Sequence, residues 1–296
     1  MRERAQIGYL PDGRRLHLHD GPIDLIVEAF GSASEVECAY RAAAKRFVTV
    51  LDELCGELAF LRQPTRDDGP WPTGMVARRM VGAVQPYASR TFITPMAAVA
   101  GAVAEEILEA MTSTAVLAKA YVNDGGDIAL HLAPGEHFVI GMVERPDRRS
   151  LFGTASLHSD QPVRGIATSG WRGRSFSLGI ADAVTVLAAT AAQADAAATI
   201  IANAVNLPGH PSIKRVPARE FAPDSDLGDR LVTHDVGALS DKDVEVALRA
   251  GVNVADSLML EGLIHAAALH LRGETRIVGG SCLPALQAEA RRLVHA

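Results

Sequence analysis

The chain has 296 residues, is 48% hydrophobic and carries a formal net charge of -6, with a sequence pI near 5.9. That is enough apolar material for one large domain or two intimate ones. An acidic balance without a Lys/Arg block, and only 5% aromatic residues, argue against nucleic acid as a partner. The cysteines Cys38, Cys55 and Cys282 contain no CxxC pair, which excludes a disulfide framework or zinc site as the first reading and leaves buried small hydrophobes. No apolar run reaches the ~18 residues of a membrane span. No apolar core follows the charged residues of Met1 to Leu10, so no signal peptide is read there. The expectation is a cytoplasmic protein with no membrane partner.

In chain order, Ile7–Leu10 and Leu16–His19 read as strands about a Pro11-Asp12-Gly13 turn, with a further strand from Ile23 to Glu28. Ser34 and Glu37 form a capping-box pattern. Val36, Tyr40, Ala43, Phe47, Leu51, Leu54, Leu58 and Leu61 then recur at helical spacing, ending before Pro64. A loop over 62–74 precedes a short helix at Met75–Val84. Thr94 and Pro95 open an Ala-rich helix over Met96–Met111, with Thr94 as its N-cap.

A β-meander follows over 115–144, with strands at Val116–Val122, Ile128–Leu132 and His137–Val143. Residues 144–160 read as polar loop, and strands resume at Val163–Ala167 and Phe176–Leu187. A helix of very small residues spans Thr190–Asn206. Residues 208–229 read as a connection. Ser240 caps a helix to Ala250, a second helix lies near Val254–Leu263, and Ile264–Leu271 pairs with Thr275–Val278 about Arg272-Gly273-Glu274. Pro284–Val294 reads as a closing helix. These mixed runs predict an α+β fold with helices packed on largely antiparallel sheets. The chain reads as a single unit over 1–296, with 208–229 as the place for a subdomain break.

Three segments suit chemistry. In Asn123-Asp124-Gly125-Gly126-Asp127 the glycines allow close backbone approach to a ligand and Asn123 and Asp127 add polar groups; the same residues also suit a plain hairpin turn. Asp195 and Thr199 stand one helical turn apart, a carboxylate and a hydroxyl suited to a hard cation such as Mg2+, or else a polar stripe on an amphipathic helix. Thr168-Ser169-Gly170-Trp171-Arg172-Gly173-Arg174 offers arginines for a phosphate, or an exposed loop. The histidines show no metalloprotease spacing.

The order Asn-x-Gly-Gly-Asp at 123–127, Ser-Gly at 169–170 and Ala-Asp-x-x-x-Thr at 194–199 resembles the ApbE family of FAD:protein FMN transferases. The likeness covers roughly residues 90–205, and its last motif is the most specific. The Thr94–Ala104 stretch and the C-terminal third are similar to an uncharacterised ApbE-like branch. The resemblance implies an ApbE-like fold, with Asp195 and Thr199 as Mg2+ ligands. It also implies Ser169 and Gly170 near substrate phosphates, and Asn123, Gly125, Gly126 and Asp127 bordering FAD. The family reaction transfers FMN from FAD to a threonine of an acceptor flavoprotein and releases AMP; related phosphoanhydride cleavage belongs to the same expectation. The transferases carry His-x-x-Asp-Pro-x-x-Gly after Ser-Gly where this chain has Ser177–Ala183, and a lysine before glycine where it has Ala100. Those differences keep open an alternative, a non-catalytic flavin- or nucleotide-binding assembly factor for a redox enzyme. The Ala- and Gly-rich helices suit packing within one chain or across a homodimer.

Overall fold

The computed structural model describes residues 5–145 and 148–279. They form strands β1 (Gln6–Tyr9), β2 (Leu16–Asp20) and β3 (Ile23–Phe30), then helices α1 (Ala33–Leu61) and α2 (Met75–Val84). A 3-10 turn at Pro95–Ala98 leads into α3 (Val99–Thr112). Strands β4 (Lys119–Asp124), β5 (Asp127–Leu132), β6 (His137–Arg145), β7 (Arg148–His158), β8 (Gly165–Ser169) and β9 (Ala183–Ala188) precede α4 (Ala191–Ala204). The remainder is β10 (Ile213–Pro217), α5 (Ala218–Phe221), β11 (Leu231–Val236), α6 (Asp241–Leu260), β12 (Ala266–Leu271) and β13 (Glu274–Val278). The fold is α+β. The expected helix at 284–294 and Cys282 lie outside the described residues.

The chain divides into two compact units, neither continuous in sequence. The first takes described residues within 1–137, 158–167 and 189–196; the second takes those within 138–157, 168–188 and 197–296. Residues 208–229 fall inside the second unit.

In the first unit the strand order is β1-β2-β3-β4-β5-β8, and the registers are antiparallel from Gln6↔His19 through Ile128↔Ile166. Alternation sets the buried face: Leu16, Leu18, Ile23, Leu25 and Val27 are buried while their strand neighbours are less so. Helix α1 buries Ala39, Tyr40, Ala43, Phe47, Val50, Leu54 and Leu61. Its cap differs from expectation. Ser32, two residues before Ser34, accepts the Glu35 N–H at 3.4 Å, while the Glu35 carboxylate receives the Val116 N–H at 2.6 Å. Thr94 makes no capping bond either, because a 3-10 turn intervenes before α3. Cys55 is exposed and Cys38 half-buried, so neither is the fully buried hydrophobe that was expected.

In the second unit β9, β12 and β13 pair antiparallel, and β10–β11 and β6–β7 form two-stranded ribbons. The β12–β13 turn uses Arg272 (φ 54°) and Gly273 (φ 86°), the left-handed pair that a two-residue hairpin favours. Residues expected as loop over 144–160 include strand β7, which pairs with β6. The connection at 208–229 likewise holds β10 and α5. Residues 176–182 are not strand. There the Leu178 N–H goes to Asn203 Oδ1 at 2.8 Å, the Ile180 N–H to Val205 O at 2.8 Å and the Asp182 N–H to His270 O at 3.0 Å.

The expected break at 250–254 is absent: α6 is one helix, opened by Ser240 and Asp243 in a reciprocal capping box. Gly251 sits within it because a Cβ there would overlap Val205 Cγ2 and meet Leu269 Cδ2 at 2.6 Å. Gly251→Ala gains about 1 kcal/mol of helix propensity, but overpacking costs about 1–3 kcal/mol. The expected outcome is a lower urea midpoint with an unchanged slope; a raised midpoint would show that the α6 contact yields easily.

Candidate functional site

The first unit holds two acidic residues, Asp195 and Asp124, whose charges act on each other. Asp195 lies in the first turns of α4, among Ala191, Ala192, Ala194, Ala196, Ala197 and Ala198, all buried. Side chains this small bring α4 close to its neighbours. Gly101 of α3 is buried against the start of α4, where a Cβ would overlap the Ala191 carbonyl and lie 2.7 Å from Ala192 N. Gly165 of β8 presses on the same segment, since its Cβ would overlap the Thr190 carbonyl. The first turn of α4 is thus wedged between two glycine backbones.

At that crossing the Gly101 N–H donates to Asp195 Oδ2 at 3.1 Å. The Asp195 carboxyl is pushed up to about 7. Burial is the main cause, the Gly101 N–H opposes it, the charge of Asp124 adds to it, and the Ala100 amide again opposes. Asp124 ends β4 and is itself buried, at 5% exposure. Asp195 is half-buried and Asp124 buried, and neighbouring carboxyls that oppose each other's charge are chemically suited to a positive charge. Sequence reasoning passed over Asp124. The signal was its strand parity, since β4 alternates and positions 120, 122 and 124 are the buried ones.

The segment 123–127 forms the β4–β5 turn. Asp124 and Asp127 are register partners, Gly125 (φ 64°) and Gly126 (φ 117°) take left-handed backbone, and the Gly126 N–H donates to Asn123 Oδ1 at 2.8 Å. A Cβ at Gly126 would meet no atom within 4 Å, so φ and not crowding calls for glycine there. Thr199 stands one turn after Asp195 in α4, half-buried. Among the described residues no group of three or more His, Cys, Asp or Glu is arranged to hold a metal ion. A cation at Asp195 would therefore draw on this carboxylate pair, hydroxyls, backbone oxygens or groups of its ligand.

In the second unit Ser169 ends β8 and Gly170 follows it. A Cβ at Gly170 would lie 2.5 Å from Asp182 O and 2.9 Å from Ala181 O, so the turn closes only on glycine. Asp182, buried at 7% exposure, organises the residues around it. It accepts Trp171 Nε1–H at 3.3 Å, Arg172 Nε–H at 2.9 Å and the Arg272 N–H at 2.7 Å. The Arg172 guanidinium also lies over the Trp171 ring, 4.2 Å from its centroid. Arg172, expected to hold a phosphate, is thus engaged by Asp182 and Trp171. Asp182 was not singled out by spacing, because its partners lie 10, 11 and 90 residues away.

An antiparallel α+β fold, a small-residue helix carrying Asp195 and a Gly-Gly turn after β4 are the setting of the motifs noted in the sequence. A family model described as AbpE bacteria matches residues 7–277, and the chain belongs to that family. Relatives include a UPF0280 protein of Methanopyrus kandleri, 38% identical over 43% of this chain and 48% of that protein. Another, from Methanosphaerula palustris, is 38% identical over 48% of this chain and 55% of that protein. The chain spans about half the length of these curated relatives. Among solved structures it is similar to apo flavinyl transferase ApbE of Pseudomonas stutzeri, with TM-score 0.45 and 10% identity over 95% of this chain and 98% of that one. It is also similar to the flavin transferase ApbE of Vibrio cholerae, with TM-score 0.34 and 13% identity over 93% and 96%. Among the described residues no helix is long and apolar enough to cross a membrane.

The raised Asp195 value has a sign that can be checked without any ligand. Between its ordinary value of 3.8 and about 7, the unfolded chain ionises this group while the folded chain keeps the proton. Stability therefore falls as pH rises through that window and the full penalty applies above it. An asparagine in its place would not titrate and keeps an oxygen for the Gly101 N–H. Asp195→Asn is thus expected to match the wild type near pH 4 and to become the more stable of the two as pH rises past about 7. The measurement is urea unfolding in EDTA across pH 4–8; parallel curves for the two proteins would contradict it.

Proposed function

We propose that this chain is a Mg2+-dependent flavin-handling protein that moves FMN from FAD to an acceptor flavoprotein or cleaves a related phosphoanhydride. Membership of the AbpE bacteria family supports the flavin reading. What supports the cation reading is Asp195, held by the Gly101 N–H at a crossing packed with alanine and glycine, with the charge of the buried Asp124 acting on its carboxyl. The donors present fit a hard cation, which takes carboxylate, hydroxyl and carbonyl oxygens and retains water. Asp195 would hold it, with Thr199 of the same helix and Asp124 contributing oxygen or charge.

Bound there, Mg2+ would neutralise charge developing on the pyrophosphate of FAD. The chain's own residues do the rest. The Gly101 N–H orients the Asp195 carboxylate through Oδ2. The Asn123–Asp127 turn, where a Cβ at Gly126 would meet no atom within 4 Å, is assigned to the flavin or its ribityl phosphate. Ser169 and Gly170 are assigned to substrate phosphates, the turn being held by Asp182. The proposed setting is the cytoplasm.

A second reading has its own observation. Arg172 is committed to Asp182 and Trp171, and Ala100 precedes Gly101 where the transferases carry lysine. With fewer basic groups for the leaving phosphate, the chain would serve as a flavin- or nucleotide-binding assembly factor for a redox enzyme.

The deciding experiment incubates the protein with FAD and Mg2+, with and without EDTA, and follows binding and AMP release together, adding flavoprotein acceptors bearing a threonine. The transferase reading expects metal-dependent AMP release that falls at least about 100-fold in Asp195→Ala. Tight FAD binding without release in every acceptor condition selects the assembly-factor reading. Unchanged turnover in Asp195→Ala would remove Asp195 from the site.

A further inference from the structure

Helices α3 and α4 are joined by two hydrogen bonds that run in opposite senses. In one, the backbone of α3 serves a side chain of α4: the Gly101 N–H donates to Asp195 Oδ2 at 3.1 Å. In the other, the backbone of α4 serves a side chain of α3: the Ala192 N–H donates to Glu105 Oε1 at 2.7 Å. Gly101 and Glu105 are one turn apart on α3, and Ala192 and Asp195 are nearly one turn apart on α4. The two bonds form successive rungs across a single crossing.

The second rung is anchored from behind. Glu105 Oε2 pairs with Arg79 Nη1 of α2 at 3.2 Å, and the two side chains are only 13% and 24% exposed. Arg79 also binds Glu106 Oε2 at 3.2 Å and pairs with Glu109. A carboxylate at the first turn of a helix satisfies an amide that has no partner within the helix and meets the positive end of its dipole. Glu105 does this for α4, while Thr190 Oγ1 accepts the Gln193 N–H at 3.3 Å.

We propose that Glu105, oriented by Arg79, is the positioning residue of the site: it fixes the first turn of α4 and through it the placement of Asp195. The inference rests on the reading of Asp195 as the cation ligand. Glu105 does not touch the cation or the substrate; it acts through the Ala192 amide. The glycine wedge brings the helices into contact, and the Glu105 bond sets the register of that contact.

The test measures Mg2+ affinity by calorimetry and Ala192 amide exchange by NMR in the wild type, Glu105→Met and Glu105→Gln. Methionine keeps the stem and removes the acceptor; glutamine keeps an oxygen for the Ala192 N–H. Loss of such an outer partner typically weakens metal binding roughly 10–100-fold. The expected result for Glu105→Met is a weakening in that range with Ala192 exchange accelerated at least about tenfold, and for Glu105→Gln, recovery of most of both. Wild-type affinity and exchange in Glu105→Met would overturn the proposal, as would failure of Glu105→Gln to rescue. If Glu105→Met does not fold, Glu105→Asp, one methylene short of the amide, takes its place with the same outcomes. If the wild type binds no Mg2+, the cation reading fails by itself, and Ala192 exchange then supports or overturns the role of Glu105 alone.

Discussion

The first unit depends on how closely α3 can approach the start of α4. A Cβ at Gly101 would overlap the Ala191 carbonyl, and one at Gly165 would overlap the carbonyl of Thr190. With both glycines present, the Gly101 N–H reaches Asp195 and the Ala192 N–H reaches Glu105. Close packing of backbones thus places a carboxylate where burial and Asp124 both work against its charge. A cation bound there, as proposed, would relieve that opposition.

The second unit solves a different problem with the same means. Gly170 lets the turn after β8 close on the Asp182 carbonyl, and the Asp182 side chain then gathers Trp171, Arg172 and the Arg272 amide. One buried acid thus ties the turn after β8 to the β12–β13 turn. The cost is that Arg172 becomes part of the framework, and that cost separates the two functional readings.

Much of the architecture was legible in the sequence because it is written in local patterns. Turn-flanked apolar segments marked the early strands, and three-four spacing marked α1. The turn residues at 11–13, 125–126 and 272–273 fell where left-handed or tight backbone was needed. What could not be read was long-range. Gly251 looked like a break, but it serves contacts with Val205 and Leu269. Residues 176–182 have strand-like composition, yet their amides are claimed by Asn203, Val205 and His270. Ser32 and Ser34 are equally good caps by sequence, and the Glu35–Val116 bond, 81 residues apart, belongs to the arrangement with Ser32. For the site, Asp195 was visible through its motif. Asp124, Glu105 and Asp182 were not, because each acquires meaning only from a partner brought near by the fold.

On the proposed reading, Asp195 with Asp124 seats a divalent cation. The most direct measurement is anomalous diffraction from crystals grown with millimolar Mn2+, an ion that takes the same oxygen donors as Mg2+. The account predicts an anomalous peak at coordinating distance from the Asp195 carboxylate, absent from Asp195→Asn crystals. Well-ordered wild-type crystals with no peak there would contradict it, and would leave the carboxylate pair without the cation on which the functional reading is built.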